Sequence, residues 1–279
     1  MLSYRHAYHA GNHADVLKHL LLVHTLEYFN HKAAPYWYID THAGPGSYAL
    51  NHGLAAQHGE SDSGIARIRA ARDLPPAVSR YAEVVNSGGE AQYPGSPDIA
   101  YRLTRREDAL RLFELHPADA RALAEHFADA GRRVKVAASD GFAALKALLP
   151  PPTRRAVVLI DPPYELKQDY GVLVDALALA LKRFATGCYL VWYPLLARPE
   201  ARRLPAELTR VAAAAGAWLH VRLHVAAPAA DGLGMTGSGM FVFNPPWTLR
   251  PSLEECLPWL VRTLGQDASA RFDIEGHQP

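Results

Sequence analysis

Short apolar runs of strand character alternate with helical segments along this chain, and that alternation constrains the fold more than any other feature. Seven runs predict strands, at 36–39, 109–114, 134–137, 156–160, 188–193, 218–225 and 240–243. Helical spacing of apolar residues occurs at 13–30, where Asn12 can cap, and at 98–106, 117–130, 141–148, 170–184 and 200–215. Alternation of this kind indicates βαβ units. The sequence therefore predicts an α/β fold with a mainly parallel, seven-stranded sheet and helices on both faces.

The length and composition favour one domain over residues 1–279 with a small insertion. Of the 279 residues, 49% are hydrophobic and 20% are charged, as in an ordinary globular domain. The stretch at about 50–95, after the first strand, is polar with helical pieces around 64–72 and 76–86, so we predict a helical insertion there. The polar tail at about 266–279 is predicted to be loose.

Several classes of partner are disfavoured by the composition. No apolar run approaches the ~20 residues that cross a membrane, so no membrane partner is expected. Two distant cysteines, Cys188 and Cys256, favour reduced thiols and a cytoplasmic location. No cysteine or carboxylate completes a metal-ligand spacing with the N-terminal histidines, so no metal is expected. A formal charge of +1 leaves a nucleic-acid partner open, because a neutral total can hide a basic face.

The apolar strand at 156–160 ends in Asp161-Pro162-Pro163-Tyr164, and this tetrapeptide predicts the chemistry of the site. Proline has no N–H to continue a ladder, so the sheet ends here. In open α/β sheets, ligands bind at the carboxyl ends of the strands. The Asp161 carboxylate and the Pro162 carbonyl provide two acceptors, which suit a planar group that carries an NH2, such as a nucleobase. Tyr164 would stack on the base.

Three further strand ends predict a nucleoside cofactor. The loop at 40–46 follows the first strand, and Gly44 lets its backbone approach a ligand closely. A dinucleotide fingerprint is incomplete, because position 49 is Ala and no ribose-binding acid follows at the usual spacing. Glu114 can accept hydrogen bonds from ribose hydroxyls, and Asp140, followed by Gly141, can accept from an adenine amine. Each acid alone is more often a helix cap or a surface group, and it is their joint position at successive strand ends that indicates a site.

With these motifs the chain resembles the class I S-adenosylmethionine-dependent methyltransferases, which have a Rossmann-like fold, and among them the adenine-N6 group with Asp/Asn-Pro-Pro-aromatic. It is most similar to the bacterial RlmJ family. The segments that carry this similarity span nearly the whole chain, at 4–6, 9–19, 40–44, 94–97, 114–117, 161–164 and 234–240. The resemblance implies methylation of N6 of an adenine in 23S ribosomal RNA, with S-adenosylmethionine as cofactor. We expect a monomer.

The resemblance also implies roles for individual residues. Asp161 would be the catalytic residue, with the Pro162 carbonyl and Tyr164 holding the adenine. RNA would contact Tyr4, His6 and Lys18. Cofactor contacts would come from His19, His42, Ser96, Glu114, Asp140, Gly141 and Asp161.

Three other functions fit the same tetrapeptide. A DNA adenine-N6 methyltransferase shares the chemistry, because nothing in the predicted site specifies a 2′-hydroxyl. A non-catalytic RNA-binding protein could keep the same fold, although the intact acids argue against it. A glutamine-amide methyltransferase is also possible chemically, since an amide NH2 suits the same acceptors. In that family, however, the motif usually begins with Asn and not with Asp.

A second copy of the pattern occurs at Asn244-Pro245-Pro246-Trp247. The strand before it, 240–243, follows 218–225 through a glycine-rich loop without a helix, so we predict that it runs antiparallel at or near an edge of the sheet. Its carboxyl end should then lie at the edge opposite Asp161. The sequence therefore predicts a structural turn here and not a second site.

Overall fold

The computed structural model describes residues 9–50, 60–89, 91–229, 231–232 and 234–277. The strands found in these ranges are β1 (Trp37–Asp40), β2 (Ser47–Ala49), β3 (Gln92–Pro94), β4 (Ala109–Phe113), β5 (Val134–Ala137), β6 (Ala156–Ile160), β7 (Cys188–Pro194), β8 (Trp218–His224), β9 (Gly237–Phe243) and β10 (Arg271–His277). The α-helices are α1 (His13–Asn30), α2 (Ile65–Ala70), α3 (Pro76–Asn86), α4 (Ser96–Leu103), α5 (Pro117–His126), α6 (Gly141–Leu148), α7 (Lys167–Arg183), α8 (Pro199–Val211) and α9 (Leu249–Leu264).

The main sheet confirms the predicted α/β class, with its strands in the order β10-β8-β9-β7-β6-β1-β4-β5. The pairs from β5 through β4, β1 and β6 to β7 are all parallel. Strand β9 is antiparallel to both β7 and β8, as predicted, and it lies between them as the third strand from the β10 edge of the sheet. The described residues between β8 and β9 form no helix, as expected for antiparallel neighbours, which need no crossover connection.

The C-terminal tail differs from its prediction. We predicted seven strands and a loose tail, whereas β10 pairs antiparallel with β8 along its whole length and becomes an eighth strand within the described part of the chain. Polar side chains do not prevent pairing at an edge strand, because one face and one side of such a strand remain in water. Arg222 of β8 forms an ion pair with Asp273 of β10, and His224 Nε2 lies 3.0 Å from the same carboxylate, which stabilises this edge.

Helix α1 begins where the sequence predicts. The Asn12 side chain accepts hydrogen bonds from the N–H groups of Ala14 and Asp15, which satisfies two of the free donors of the first turn. The helix packs against α3, α4 and α9 and lies over β6, β7 and β9. Because it is covered on nearly all sides, most of its residues are buried, including polar ones. Helices α6, α7 and α8 pack against one another as a separate layer.

The predicted helical pieces of the insertion are present as α2 and α3. The sequence did not predict the short antiparallel sheet of β2 and β3, whose strands enter and leave this segment. Their pairing brings the N-terminus of α4 next to the loop after β1, and the Gly95 N–H donates to the Gly46 carbonyl across 2.8 Å. The insertion therefore helps to position Ser96 at the main sheet.

The parallel register brings the carboxyl ends of β1, β4, β5 and β6 to the same side of the sheet. In β1, Asp40 pairs with Leu159 of β6 and with Leu112 of β4. Asp161 and Glu114 each follow two residues later, on either side of the loop after β1. The strand order reverses between β1 and β6, and such a switch point is where open α/β sheets form a ligand crevice.

Candidate active site

A cavity of about 360 Å³ opens at this edge, and we call it the Asp161 cavity. Its size is within the range of small-molecule sites. The predicted residues that line it are Lys18, His19, His42, Gly44, Ser96, Glu114, Asp140, Gly141, Asp161 and Pro162. Lys18 and Asp161, which are 143 positions apart in the sequence, thus meet in one crevice.

Asp161 is joined to a buried lysine. The Lys18 Nζ lies 2.6 Å from Asp161 Oδ2 and 2.8 Å from Asp15 Oδ1, and Lys18 is only 4% exposed. Burial alone would lower the pKa of Lys18, but the two carboxylates raise it above its usual value. The lysine therefore stays charged and fixes one oxygen of Asp161. We predicted that Lys18 faces RNA; in the structure it lines the Asp161 cavity, and its ammonium is held between two carboxylates.

The backbone after Asp161 presents a free acceptor. Among the described residues, none donates a hydrogen bond to the Pro162 carbonyl. Both prolines lack an N–H, so the chain leaves the sheet without closing a ladder over this edge. The prediction of two acceptors, one charged and one neutral, side by side at the cavity is therefore compatible with the structure.

Tyr164 differs from its prediction as a stacking ring. It is 2% exposed, does not line the Asp161 cavity, and its φ of +53° turns the side chain towards the protein interior. Its hydroxyl donates to the Trp192 carbonyl across 2.6 Å, and its ring packs against Tyr170 at a centroid distance of 4.8 Å. In this arrangement Tyr164 holds the turn that carries Asp161 and Pro162.

A buried acid organises the loop after β1. Asp40 is fully buried and accepts hydrogen bonds from the hydroxyls of Tyr38 at 2.6 Å and Ser96 at 2.7 Å. Burial raises the pKa of Asp40 to about 6. Ser96, predicted as a cofactor contact, therefore lines the cavity with its hydroxyl engaged by Asp40. Burial also lowers the pKa of His42 to about 4, so this cavity-lining imidazole is neutral at pH 7.

Glu114 and Gly44 are connected directly. The Glu114 carboxylate accepts one hydrogen bond from the Gly44 N–H at 2.8 Å and another from the His116 N–H at 2.7 Å. A carboxylate has about four acceptor positions, so two remain for a ligand. Gly44 has a φ of +61°, and a Cβ there would lie 2.5 Å from the Tyr48 hydroxyl. Only glycine fits this position without a shift of Tyr48.

Asp140 both caps a helix and lines the cavity. Its Oδ1 accepts from the Phe142 N–H at 2.8 Å at the start of α6. The next residue, Gly141, packs so tightly against the loop after β1 that a Cβ would lie 2.2 Å from the Thr41 carbonyl. The close approach brings the polar end of α6 to the cavity. Phe142 and the half-exposed Leu115 add apolar walls beside Asp140.

His19 is buried and lines the Asp161 cavity. Its Nδ1 lies 2.7 Å from the Tyr93 hydroxyl, and the two rings stack at a centroid distance of 5.5 Å. Tyr93 belongs to β3, so the insertion positions this histidine. Two predicted RNA contacts, Tyr4 and His6, lie outside the residues that the structure describes.

Sequence reasoning missed two acids that the site depends on. Asp15 lies three residues before Lys18 on α1, a spacing that places both side chains on one helical face and could have suggested the pair. Asp40 ends a buried strand, and its position directly before the glycine loop was the available signal. Nothing in the sequence distinguishes Phe142 as a cavity residue, because apolar residues are common in the first turn of a helix.

The second motif lies on the side of the sheet opposite the Asp161 cavity, and its polar residue has different contacts. The Asn244 side-chain NH2 donates to the carbonyls of Ala185 and Gly187, each at 2.7 Å, while its oxygen accepts from the Gly216 N–H at 3.1 Å. These contacts join two loops to the end of β9. The prediction of a structural turn is therefore confirmed.

The described residues carry neither a metal-binding cluster nor a membrane span. No group of three or more His, Cys, Asp or Glu side chains in that part of the chain has an arrangement that could hold a metal ion. Likewise, none of the helices in the described ranges is long and apolar enough to cross a bilayer.

Comparison with known proteins gives consistent matches over the chain. A family model described as "Ribosomal RNA large subunit methyltransferase D, RlmJ" matches residues 33–274. The chain is 43% identical over 285 residues to "Ribosomal RNA large subunit methyltransferase J" of Haemophilus influenzae, with 100% of both chains covered. It is 47% identical over 264 residues to the Escherichia coli protein of the same name, with 93% of each covered.

A solved structure is similar in fold and sequence. Protein LPL1258 from Legionella pneumophila superposes with a TM-score of 0.86 at 34% identity, and the match covers 96% of this chain and 98% of that one. The agreement extends over the insertion as well as the sheet, since so little of either chain is left unmatched.

Proposed function

The chain belongs to the RlmJ family of ribosomal RNA large subunit methyltransferases, and we propose that it methylates N6 of an adenine in 23S ribosomal RNA. The observation that carries this proposal is the pair of acceptors, the Asp161 carboxylate and the Pro162 carbonyl, beside a cavity at the switch point of the sheet. An amine with two N–H groups satisfies both acceptors, whereas a ring nitrogen or a hydroxyl leaves at least one unpaired.

S-adenosylmethionine is the cofactor expected of a methyltransferase, and the residues of the cavity fit it. When bound, it supplies an activated methyl group on a sulfonium. We propose that Glu114 accepts hydrogen bonds from the ribose hydroxyls and that Asp140 accepts from the adenine amine. Leu115 and Phe142 provide apolar surface for the adenine ring. The neutral imidazole of His42 can donate one N–H to a carboxylate without the desolvation cost of a buried cation.

Asp161 and Pro162 would act on the substrate by positioning and electrostatics. An adenine amine is a poor nucleophile, because its lone pair is delocalised into the ring. Two acceptors that hold its N–H bonds favour a pyramidal nitrogen, whose lone pair can then attack. A charged acceptor also stabilises the positive charge that grows on this nitrogen. Catalysis of this kind requires no covalent intermediate with the protein.

The charge on Lys18 supports this assignment. Its ammonium forms an ion pair with Asp161 across 2.6 Å, and a carboxylate accepts hydrogen bonds and does not donate them. Lys18 occupies one oxygen of Asp161, so the other oxygen remains for the amine. Lys18 and Asp15 would therefore be positioning residues that fix the orientation of the Asp161 carboxylate.

The experiment that tests the proposal incubates the protein with labelled S-adenosylmethionine and, separately, with unmodified 23S RNA, 16S RNA and duplex DNA. We expect label in 23S RNA, recovered as N6-methyladenosine after digestion to nucleosides. Label in duplex DNA alone would instead support the DNA adenine methyltransferase. Label in protein would support the amide methyltransferase, and absence of label in every arm, with cofactor binding intact, would support a non-catalytic RNA-binding protein.

A further inference from the structure

A second concavity, of about 600 Å³, lies at the edge of the sheet opposite the Asp161 cavity. Its walls include Tyr28, Lys32, Arg154, Arg155 and Trp247, and we call it the Trp247 patch. It lies between the C-terminal end of α1 and the turn after β9, beside the amino-terminal end of β6. The activity proposed for the chain makes no use of it.

The charge of the Trp247 patch is of one sign. Its lining includes Lys32, Arg154 and Arg155 together with His31, and none of its described lining residues is Asp or Glu. Arg155 donates to the Phe29 carbonyl and is part of the fold. Lys32 and Arg154 are exposed, and their side chains form no hydrogen bond or ion pair with any other described residue. Two cations are thus available to an anionic partner.

The patch also carries an exposed ring. Trp247 is 70% exposed, the most of any large hydrophobic side chain in the described ranges. The turn does not require this ring, because the Asn244 amide joins the loops and Pro246 is buried beneath. An indole that no packing explains, next to unpaired cations, is the combination that binds single-stranded nucleic acid, where bases stack on rings and phosphates meet cations.

We propose that the Trp247 patch is a second RNA-binding surface, at which an unpaired base stacks on Trp247 and neighbouring phosphates contact Lys32 and Arg154. The proposal rests on the proposed function in so far as it takes the substrate RNA as the ligand. It adds a surface that holds the RNA away from the reacting adenine.

The separation of the two sites follows from β6. Ala156 lines the Trp247 patch and Asp161 lines the Asp161 cavity. Five residues of extended strand place them about 17 Å apart through the sheet. One RNA can reach both only by passing around the outside of the protein. The patch should therefore contribute to the binding of long substrates and not to the chemistry on the target base.

Fluorescence anisotropy with a labelled single-stranded oligouridine tests the proposal, because this probe contains no adenine to enter the catalytic cavity. We expect Trp247→Ala to weaken the binding of the oligouridine about 5- to 150-fold, which corresponds to the free energy of stacking one base on the ring. Trp247→Phe should retain most of the affinity. The double variant Lys32→Glu/Arg154→Glu should make the negative slope of log affinity against log salt shallower by about 1.4, or about 0.7 for each phosphate that is no longer neutralised.

Arg262→Glu serves as the charge control for the single variants Lys32→Glu and Arg154→Glu, because each of the three substitutions changes the net charge by the same amount. Arg262 is exposed in the last turn of α9, about 20 Å along that helix from Trp247. This variant should bind oligouridine as the unmodified protein does. An equal loss of affinity in Arg262→Glu and in the patch variants would mean that net charge alone governs binding, and it would overturn the proposal.

The outcome is separable from that of the proposed function. If the unmodified protein methylates 23S RNA but Trp247→Ala binds oligouridine with unchanged affinity, the patch proposal fails and the enzymatic one stands. If binding depends on Trp247 but no RNA is methylated, the enzymatic proposal fails and the patch proposal stands. A Trp247-dependent affinity for duplex DNA and none for oligouridine would also overturn the assignment to RNA.

Discussion

The two Pro-Pro motifs of this chain differ in what their polar residue contacts, although their sequences match. Asp161 follows a parallel strand, faces a cavity and meets one buried lysine. Asn244 follows an antiparallel strand whose carboxyl end lies on the opposite side of the sheet, and its amide is hydrogen-bonded to three backbone groups. The aromatic residues are reversed as well, since Tyr164 is buried and Trp247 is exposed. Strand direction, and not the tetrapeptide, decides which motif faces the Asp161 cavity.

The largest effect that this comparison predicts is on catalysis. Asp161→Ala should lower the methylation rate at saturating cofactor by about a thousandfold or more, because the charged acceptor for the amine is lost. The fold should persist, since Lys18 keeps Asp15 as its partner. Initial rates with labelled S-adenosylmethionine and 23S RNA measure the effect, and circular dichroism checks the fold. Appreciable methylation by this variant would contradict the mechanism.

The next effect is on stability and concerns only the Asp161 motif. Lys18→Met should lower the free energy of unfolding by about 3–5 kcal/mol, because it leaves buried carboxylates without a cation. Combining it with Asp15→Asn should recover part of this loss. Urea denaturation of the single and double variants measures both values. A change below about 1 kcal/mol for Lys18→Met would show that the ion pair is not buried as described.

Asn244→Asp makes the two tetrapeptides alike in their first three residues and tests the comparison directly. A carboxylate cannot donate to the carbonyls of Ala185 and Gly187, so we expect a loss of about 1–3 kcal/mol in the free energy of unfolding. Methylation per folded molecule should stay unchanged. Rescue of methylation by this substitution in the Asp161→Ala background would refute the claim that strand direction selects the site.

The pH dependence of stability tests the electrostatics of the Asp161 cavity. Burial lowers the pKa of His42 to about 4, so between about pH 6.5 and 4 the unfolded chain takes up a proton that the folded protein does not. Stability is therefore lost as the pH falls through this window. His42→Gln should make the decline shallower by up to about 1.4 kcal/mol per pH unit. If the free energy of unfolding declined with pH equally in both proteins, His42 would be exposed to water and the burial described here would be wrong.

The smallest effect concerns the hydroxyl that supports the loop after β1. Ser96→Ala removes one donor to Asp40 and should cost about 1 kcal/mol of stability at pH 8. Since burial raises the pKa of Asp40 to about 6, the cost should shrink at pH 5, where the protonated acid no longer needs the donor. Ser96→Thr keeps the hydroxyl and is the control. A cost that is equal at both pH values would contradict the role given to Asp40.

Much of the fold could be predicted because it depends on local patterns. Asn12 gives the start of α1, and the apolar runs give the strands, since burial on both faces requires them. Helix α9 was missed because Pro251 and Pro258 interrupt its pattern, although the first lies in the opening turn, where a missing N–H costs little. Strand β10 was missed because an exposed edge strand carries no apolar run.

The candidate site was predictable where strand ends define it and not where side chains choose partners. Glu114, Asp140 and Asp161 meet as their positions predict. The burial of Lys18 was not predictable, because a lysine on a helix is normally solvated, and only the packing of α1 against the sheet puts it beside Asp161. Tyr164 was misjudged for a related reason, because sequence does not reveal that its backbone turns inward.

A structure of the protein with S-adenosylhomocysteine bound would show where the cofactor lies relative to Asp161. We expect the ligand to occupy the Asp161 cavity, with its ribose at Glu114 and its adenine at Asp140, between Leu115 and Phe142. Its sulfur should point towards Asp161 and Pro162. Binding at the edge that carries Asn244, or an orientation that directs the sulfur away from Asp161, would contradict the account.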